Sequence, residues 1–127
     1  MIGVRSGNAK LIREKFITAL KNVTVTNITQ GARMIELIYK LIVCHFIGDY
    51  VLQIDYIART KGDNWWHLIV HCFLYTVPFA ILFGVDWRLG VILGLHIVVD
   101  SLKARLKRIG YVTDQVIHLA TLSVYLL

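Results

Sequence analysis

The sequence predicts an all-α integral membrane protein, a four-helix transmembrane bundle preceded by an N-terminal amphipathic (interfacial) helix. Three observations predict it. Hydrophobic residues make up 57% of the 127-residue chain and charged residues only 17%, with a mean hydropathy of +0.63; soluble chains average about 45–50% apolar and about 25% charged. The apolar residues gather into long runs parted by short polar links. The basic residues, which give a net charge of +6, sit at the ends of those runs: Arg5 to Lys21, Arg33, Lys40, Arg59, Lys61 and Lys103 to Arg108. That distribution suits anionic headgroups at bilayer edges. It argues against a nucleic-acid partner, which needs a basic face on a soluble module. Cys44 and Cys72 both lie in apolar runs, so a disulfide framework is not expected.

Residues 1–33 form the N-terminal extension. Leu11, Ile12, Phe16, Ala19 and Leu20 share one helical face while Lys10, Arg13, Glu14 and Lys15 fall elsewhere, the pattern of an interfacial helix. A soluble helix capping the bundle fits that pattern equally. The polar, basic start contains no signal peptide, so the Asn-x-Thr sequons at Asn22 and Asn27 carry no weight. Asn22 to Thr29 alternates apolar and polar residues and reads as extended.

Residues 34–127 form the membrane domain, with spans at about 34–57, 66–85, 89–106 and 113–127. The first is entered through Glu36 and Lys40 and leaves into the polar link Arg59 to Asn64. Trp65 and Trp66 open the second at the depth where amphipathic rings collect, and Pro78 kinks it. Asp86-Trp87-Arg88 turns tightly into the third, where Gly90 and Gly94 invite close helix contact. Gly110 breaks that helix and Thr113 caps the fourth. Basic residues divide nearly evenly between the two sides, so the positive-inside rule leaves orientation open.

Polar groups inside these runs are costly in lipid and need partners. His45, Asp49 and Gln53 follow one another at steps of four, as do His67 and His71, His96 and Asp100, and Asp114 and His118; steps of four share a helix face. In an up-down bundle the first and third links lie on one side. Counted from there at about 1.5 Å per residue, Asp49, His71, His96, Asp100 and His118 lie about 6 to 12 Å in and His45 about 18 Å in, all in one half of the bilayer. His and Asp are ligands for zinc or another divalent transition metal. His45, Asp49, His71, His96, Asp100 and His118 would suffice for two ions, with Gln53, Gln115 and Asp114 orienting histidines from outside. Lys61, Lys103 and Arg105 stand on the mouth side and suit an anionic phosphate or headgroup. His67, beside two tryptophans, reads as a headgroup-level residue; Cys44, Cys72 and Tyr75 read as packing. The same His and Asp residues would also serve a proton or cation pathway, or simply hold helices together through hydrogen bonds.

The run His45-Phe-Ile-Gly-Asp49-Tyr-Val-Leu-Gln53, then Lys61, His71-Cys-Phe-Leu-Tyr75, His96-Ile-Val-Val-Asp100-Ser-Leu-Lys103 and Asp114-Gln115-Val-Ile-His118 resembles a family of small bacterial and phage membrane proteins of unknown function, domain of unknown function 3307. The likeness covers about Ile38 to the C-terminus. More distantly the arrangement looks like bacterial inner-membrane proteins described as metal-dependent hydrolases, themselves likened to zinc-dependent phospholipase C and P1-type nucleases. That resemblance implies an inner-membrane location, two zinc ions held by the six His and Asp residues above, and phosphoester hydrolysis. Lys103 would then stabilise developing charge. No glutamate lies near the ligands, so the general base would be Asp114 or hydroxide generated at the metal. Rival expectations are a transporter or channel component, and a structural or partner-docking protein. Four short helices leave little room for a closed pocket, which points to a homodimer, with membrane lipid as the other partner.

Overall fold

The computed structural model describes the backbone of residues 3–127 and the side chains of residues 11–127. The fold is all-helical: α1 (Gly3–Phe46), α2 (Asp55–Thr60), α3 (Trp65–Phe83), α4 (Trp87–Asp100) and α5 (Tyr111–Thr121), with no strand among the described residues. The chain divides into two units, Met1–Ile38 and Tyr39–Leu127.

In the first unit the expected extended stretch Asn22 to Thr29 is helical, part of α1. The alternation misled because the threonines find partners within a helix. Thr18, Thr24, Thr26 and Thr29 each donate their hydroxyl to the carbonyl four residues back, at 2.8 to 2.9 Å. The penalty of β-branched residues in a helix, at most about 0.7 kcal/mol each, is too small to break the ladder. Leu11, Ile12, Phe16 and Leu20 are all exposed.

In the second unit, the expected first span of 34–57 is not one helix. Beyond Phe46 the chain widens into a π-turn, Ile47–Val51, whose last bond runs from the Leu52 N–H to the Ile47 carbonyl five residues back at 2.9 Å. It then breaks at Ile54, which is extended, and re-forms as α2. The third expected span ends in the same way. α4 gives way at Asp100 to a second π-turn, Ser101–Arg105, closed by Leu106 N–H on Ser101 O at 3.0 Å. π-turns shift the register of the side chains that follow and gather at functional sites. Here one contains Asp49 and the other begins directly after Asp100.

Among the described residues α3 is the helix both long and apolar enough to cross a membrane, with a mean hydropathy of 1.7. It starts where the Asn64 side chain accepts the Trp66 N–H, and Pro78 lies buried within it. The turn into α4 differs from the expected one. Gly84 takes the positive φ of 81° and Asp86 caps α4, so Trp87 and Arg88 already belong to the helix. Asp86 accepts backbone N–H bonds from Arg88 and Leu89 and pairs with the Arg88 guanidinium, which holds its carboxyl below the usual range. After the second π-turn the left-handed residue is Lys107, at φ 51°, not a glycine; Gly110 is the residue before α5, and Thr113 lies inside that helix. A short 3₁₀ segment, Leu122–Leu126, follows α5.

α3 packs against α4, α2 and the first π-turn, and α4 against α5. Close approach is made by different glycines from those expected. A Cβ on Gly48 would lie 2.6 Å from the Tyr75 carbonyl oxygen and one on Gly62 2.8 Å from that of Ala104, whereas at Gly90 and Gly94 it would meet nothing within 4 Å. The interior combines apolar and aromatic residues (Cys44, Leu68, Cys72, Phe79, Ile92, Tyr125) with His45, Asp49, His71, His96, Asp100, Asp114 and His118, all buried. Phe73, Val77, Ile81, Leu82, Val98 and Val116 lie on the outside. Polar inside and apolar outside reverses the usual order of a water-facing domain.

Candidate metal centre

The widened end of α1 places Asp49 against α3, and α4 brings His96 and Asp100 to the same point. The His71 and His96 rings aim Nε2 at Nε2 across 3.2 Å. Asp49 Oδ1 lies 3.3 Å from His71 Nε2 and 4.0 Å from His96 Nε2. Asp100 Oδ2 completes the group, at 3.2 and 4.0 Å from the same two nitrogens. Asp49 Oδ1, His71 Nε2 and His96 Nε2, from three segments, therefore lie within 4.8 Å of one another, with Asp100 Oδ2 beside the same two histidines. A tetrahedral zinc with bonds of about 2.0–2.1 Å needs its ligand atoms about 3.3 Å apart, and the histidine–histidine and histidine–carboxylate separations of 3.2 to 4.0 Å approach that spacing.

Asp100 also faces the other way. Its Oδ1 is 4.0 Å from His118 Nε2, and Asp114 Oδ1 is 3.5 Å from His118 Nδ1. Asp100, Asp114 and His118 each place a ligand atom within 4.8 Å of the others. Asp100 Oδ1, Asp114 Oδ1 and both His118 ring nitrogens are buried without a hydrogen-bond partner among the described residues. Buried polar atoms are normally bonded. This group fits a second cation, with Asp100 as the carboxylate between the two positions. Cys72, read as packing, also brings its sulfur within 4.8 Å of ligand atoms of His96 and Asp100.

His45 stands outside both groups. Its Nε2 donates to Gln115 Oε1 at 3.1 Å, because that oxygen can only accept; its Nδ1 then accepts from the Tyr75 hydroxyl at 3.2 Å. Gln115 spends its amide on two carboxylates, donating to Asp49 Oδ2 at 3.1 Å and Asp114 Oδ2 at 2.9 Å. Expected to orient a histidine, it bonds His45 and two carboxylates. Tyr75 was missed by sequence reasoning. It stacks on the His96 ring at 3.7 Å and nearly parallel, and it bonds His45. The available signal was its spacing, four residues after His71 on the same face of α3.

The lysines end on the cluster. Lys61, expected at the mouth, is buried and donates to Asp100 Oδ2 and to Gln53 Oε1, both at 2.7 Å. Gln53 therefore holds a lysine and not, as expected, a histidine. Lys103 donates to Asp114 Oδ2 at 2.5 Å, so the two residues expected to share the catalytic work are paired with each other. Arg105, expected to meet an anion, lies over the Trp65 ring at 4.2 Å, a cation–π contact. His67 is apart from the cluster, bonded to the Thr60 hydroxyl at 2.7 Å.

No curated protein and no solved structure matches the chain. Residues 37–127 match the family described as protein of unknown function (DUF3307), which is most of the chain and takes in every residue of the cluster. The chain belongs to that family.

Proposed function

We propose that residues 39–127 are embedded in a bacterial membrane and hold a pair of divalent metal ions, zinc in the first instance, in a centre that hydrolyses a phosphoester, with a lipid headgroup as the preferred setting. One observation carries this reading: His71 Nε2 and His96 Nε2 lie 3.2 Å apart, and Asp49 Oδ1 and Asp100 Oδ2 each lie 3.2 to 4.0 Å from both nitrogens. The membrane setting is supported by α3 and by the apolar exterior around a polar interior.

In this reading His71, His96, Asp49 and Asp100 hold one ion, and Asp100, Asp114 and His118 the other. A metal pair supplies an activated water and polarises the phosphoester. The chain's own residues do the rest. Gln115 fixes the carboxylates of Asp49 and Asp114, His45 and Tyr75 hold Gln115 and the His96 ring, and Lys103, bonded to Asp114, would stabilise phosphate charge as it develops. The test is hydrolysis of p-nitrophenyl phosphate and of bis-p-nitrophenyl phosphate by the full chain in detergent. Zinc-dependent turnover, lost in Asp100→Asn, is expected; turnover that survives both chelation and Asp100→Asn would exclude the centre as its source.

A proton or cation pathway is the second reading. It is favoured by the continuous bonded series from Tyr75 through His45 and Gln115 to Asp114 and the partly exposed Lys103. It predicts flux in liposomes that is lost in Asp49→Asn and needs no metal.

A further inference from the structure

A cavity of about 430 Å³ opens between α2 and the second π-turn, lined by Gln53, Arg59, Lys61, Asp63, Lys103 and Lys107. Four of these six side chains are basic. Two of the four, Lys61 and Lys103, reach through the wall to bond Asp100 and Asp114. The other two stand on the outer side. Arg59 meets Asp55 only at 3.8 Å with both side chains exposed, a contact too weak to hold the guanidinium. Lys107 is the described non-glycine residue with a positive φ, fixed at the cavity by the Arg108 N–H to Leu102 carbonyl bond at 2.9 Å. A left-handed lysine is unfavourable, and such strain collects where position matters. Gly62 closes the wall, its missing Cβ allowing the turn to lie against the Ala104 carbonyl.

Charge completes the argument. Three carboxylates, Asp49, Asp100 and Asp114, face two ammonium groups in the cluster. Their balance is a single negative charge with neutral histidines. One divalent cation turns that balance positive, and two make it strongly so. A cation on Asp100 Oδ2 competes with Lys61 for that oxygen, and one on Asp114 Oδ1 weakens that carboxylate's hold on Lys103, loosening two ammonium groups whose side chains line the cavity.

We propose that this cavity is the site for a phosphate-type anion, gripped outside by Arg59 and Lys107 and inside by Lys61 and Lys103, and that metal in the cluster strengthens its binding by releasing the two inner lysines. The proposal deepens the hydrolase reading and rests on it for the metal-linked step alone. Linkage is reciprocal, so phosphate must tighten metal to the same degree that metal tightens phosphate.

The test is calorimetric titration of inorganic phosphate into the full chain in detergent, with and without zinc, for the native protein and the Arg59→Ala/Lys107→Ala variant. The native protein is expected to bind phosphate at least about tenfold more tightly with zinc. The variant is expected to lose at least about tenfold in phosphate affinity at unchanged zinc content. Equal phosphate affinity in native protein and variant overturns the site, as does zinc-loaded native protein that binds no phosphate; in both cases the metal reading still stands. If the native protein binds no zinc but the variant still loses phosphate, the anion site stands and the hydrolase reading fails. Competition by nanodiscs containing phosphatidic acid, against phosphatidylcholine alone, assigns the anion to a lipid headgroup; competition by neither assigns it to a soluble phosphate.

Discussion

His71 on α3 and His96 on α4 present Nε2 to Nε2 at 3.2 Å in a fully buried setting, with oxygens of Asp49 and Asp100 3.3 and 3.2 Å from the His71 nitrogen. Two imidazole nitrogens aimed at one point among carboxylates either share a proton or share a cation. The second choice makes definite demands on the residues around them.

His45 and His71 separate under substitution. Both ring nitrogens of His45 are engaged by Tyr75 and Gln115, so His45→Gln is expected to weaken metal affinity by about 10- to 100-fold, the usual effect of removing an orienting partner. His71→Gln, which removes a ligand of the proposed centre, is expected to abolish tight binding at that position. Competition with a chromophoric zinc chelator measures both. Equal losses would place His45 among the ligands.

Lys61→Met leaves Asp100 without its ammonium partner in a buried site. Breaking such a pair costs about 3–5 kcal/mol, because the remaining charge is uncompensated. The metal-free variant should therefore unfold at clearly lower temperature than the native protein, and zinc should restore much of the difference. Thermal unfolding with chelator and with zinc reads this; a variant as stable as native without metal would mean that Lys61 does not balance Asp100.

Gly48→Ala tests the packing that carries Asp49 to α3. The added Cβ would lie 2.6 Å from the Tyr75 carbonyl oxygen, which is backbone and cannot move aside cheaply. A loss of about 1–3 kcal/mol is expected, with weaker metal binding because both Asp49 and Tyr75 shift. Gly90→Ala, where the new carbon meets nothing within 4 Å, is the matched control and should be neutral or slightly stabilising.

Asp86 gives a pH signature away from the cluster. Its carboxyl is held below the usual range by Arg88 and by backbone N–H bonds at the start of α4. A depressed folded-state value contributes stability above the ordinary carboxylate range and loses it as pH falls through the folded value. Asp86→Ala should lower the unfolding midpoint at pH 7, with the gap to native closing as pH falls below about 4. A gap independent of pH would show that the charge of Asp86 is immaterial.

Much of the cluster was legible in the sequence because four-residue spacing holds along any α-helix. His96 with Asp100, and Asp114 with His118, could be read directly, and Gln115 followed as their neighbour. Spacing could not say which member of a facing pair turns into the cluster and which turns back to a partner: His45, expected as a ligand, bonds Tyr75 and Gln115, while Asp114, expected outside, lies with Asp100 and His118. The π-turns were invisible: nothing in Ile47 to Val51 or Ser101 to Arg105 distinguishes five-residue from four-residue bonding, and that register carries Asp49 to His71. Lys61 was placed at the surface because its neighbours are polar. The fold of α2 and the turn after it send the side chain inward to Asp100, a long-range pairing that no local pattern encodes. The stretch around Thr24 and Thr26 failed for the opposite reason, as threonines satisfied within a helix imitate the alternation of a strand.

The central claim, that the His and Asp cluster is a metal centre, is tested most directly by elemental analysis of the full chain purified in detergent without added chelator. Between about one and two tightly held divalent ions per chain are expected, falling to near zero in His71→Ala/His96→Ala. Less than about one ion per two chains after zinc loading, or unchanged metal in the double variant, would contradict it.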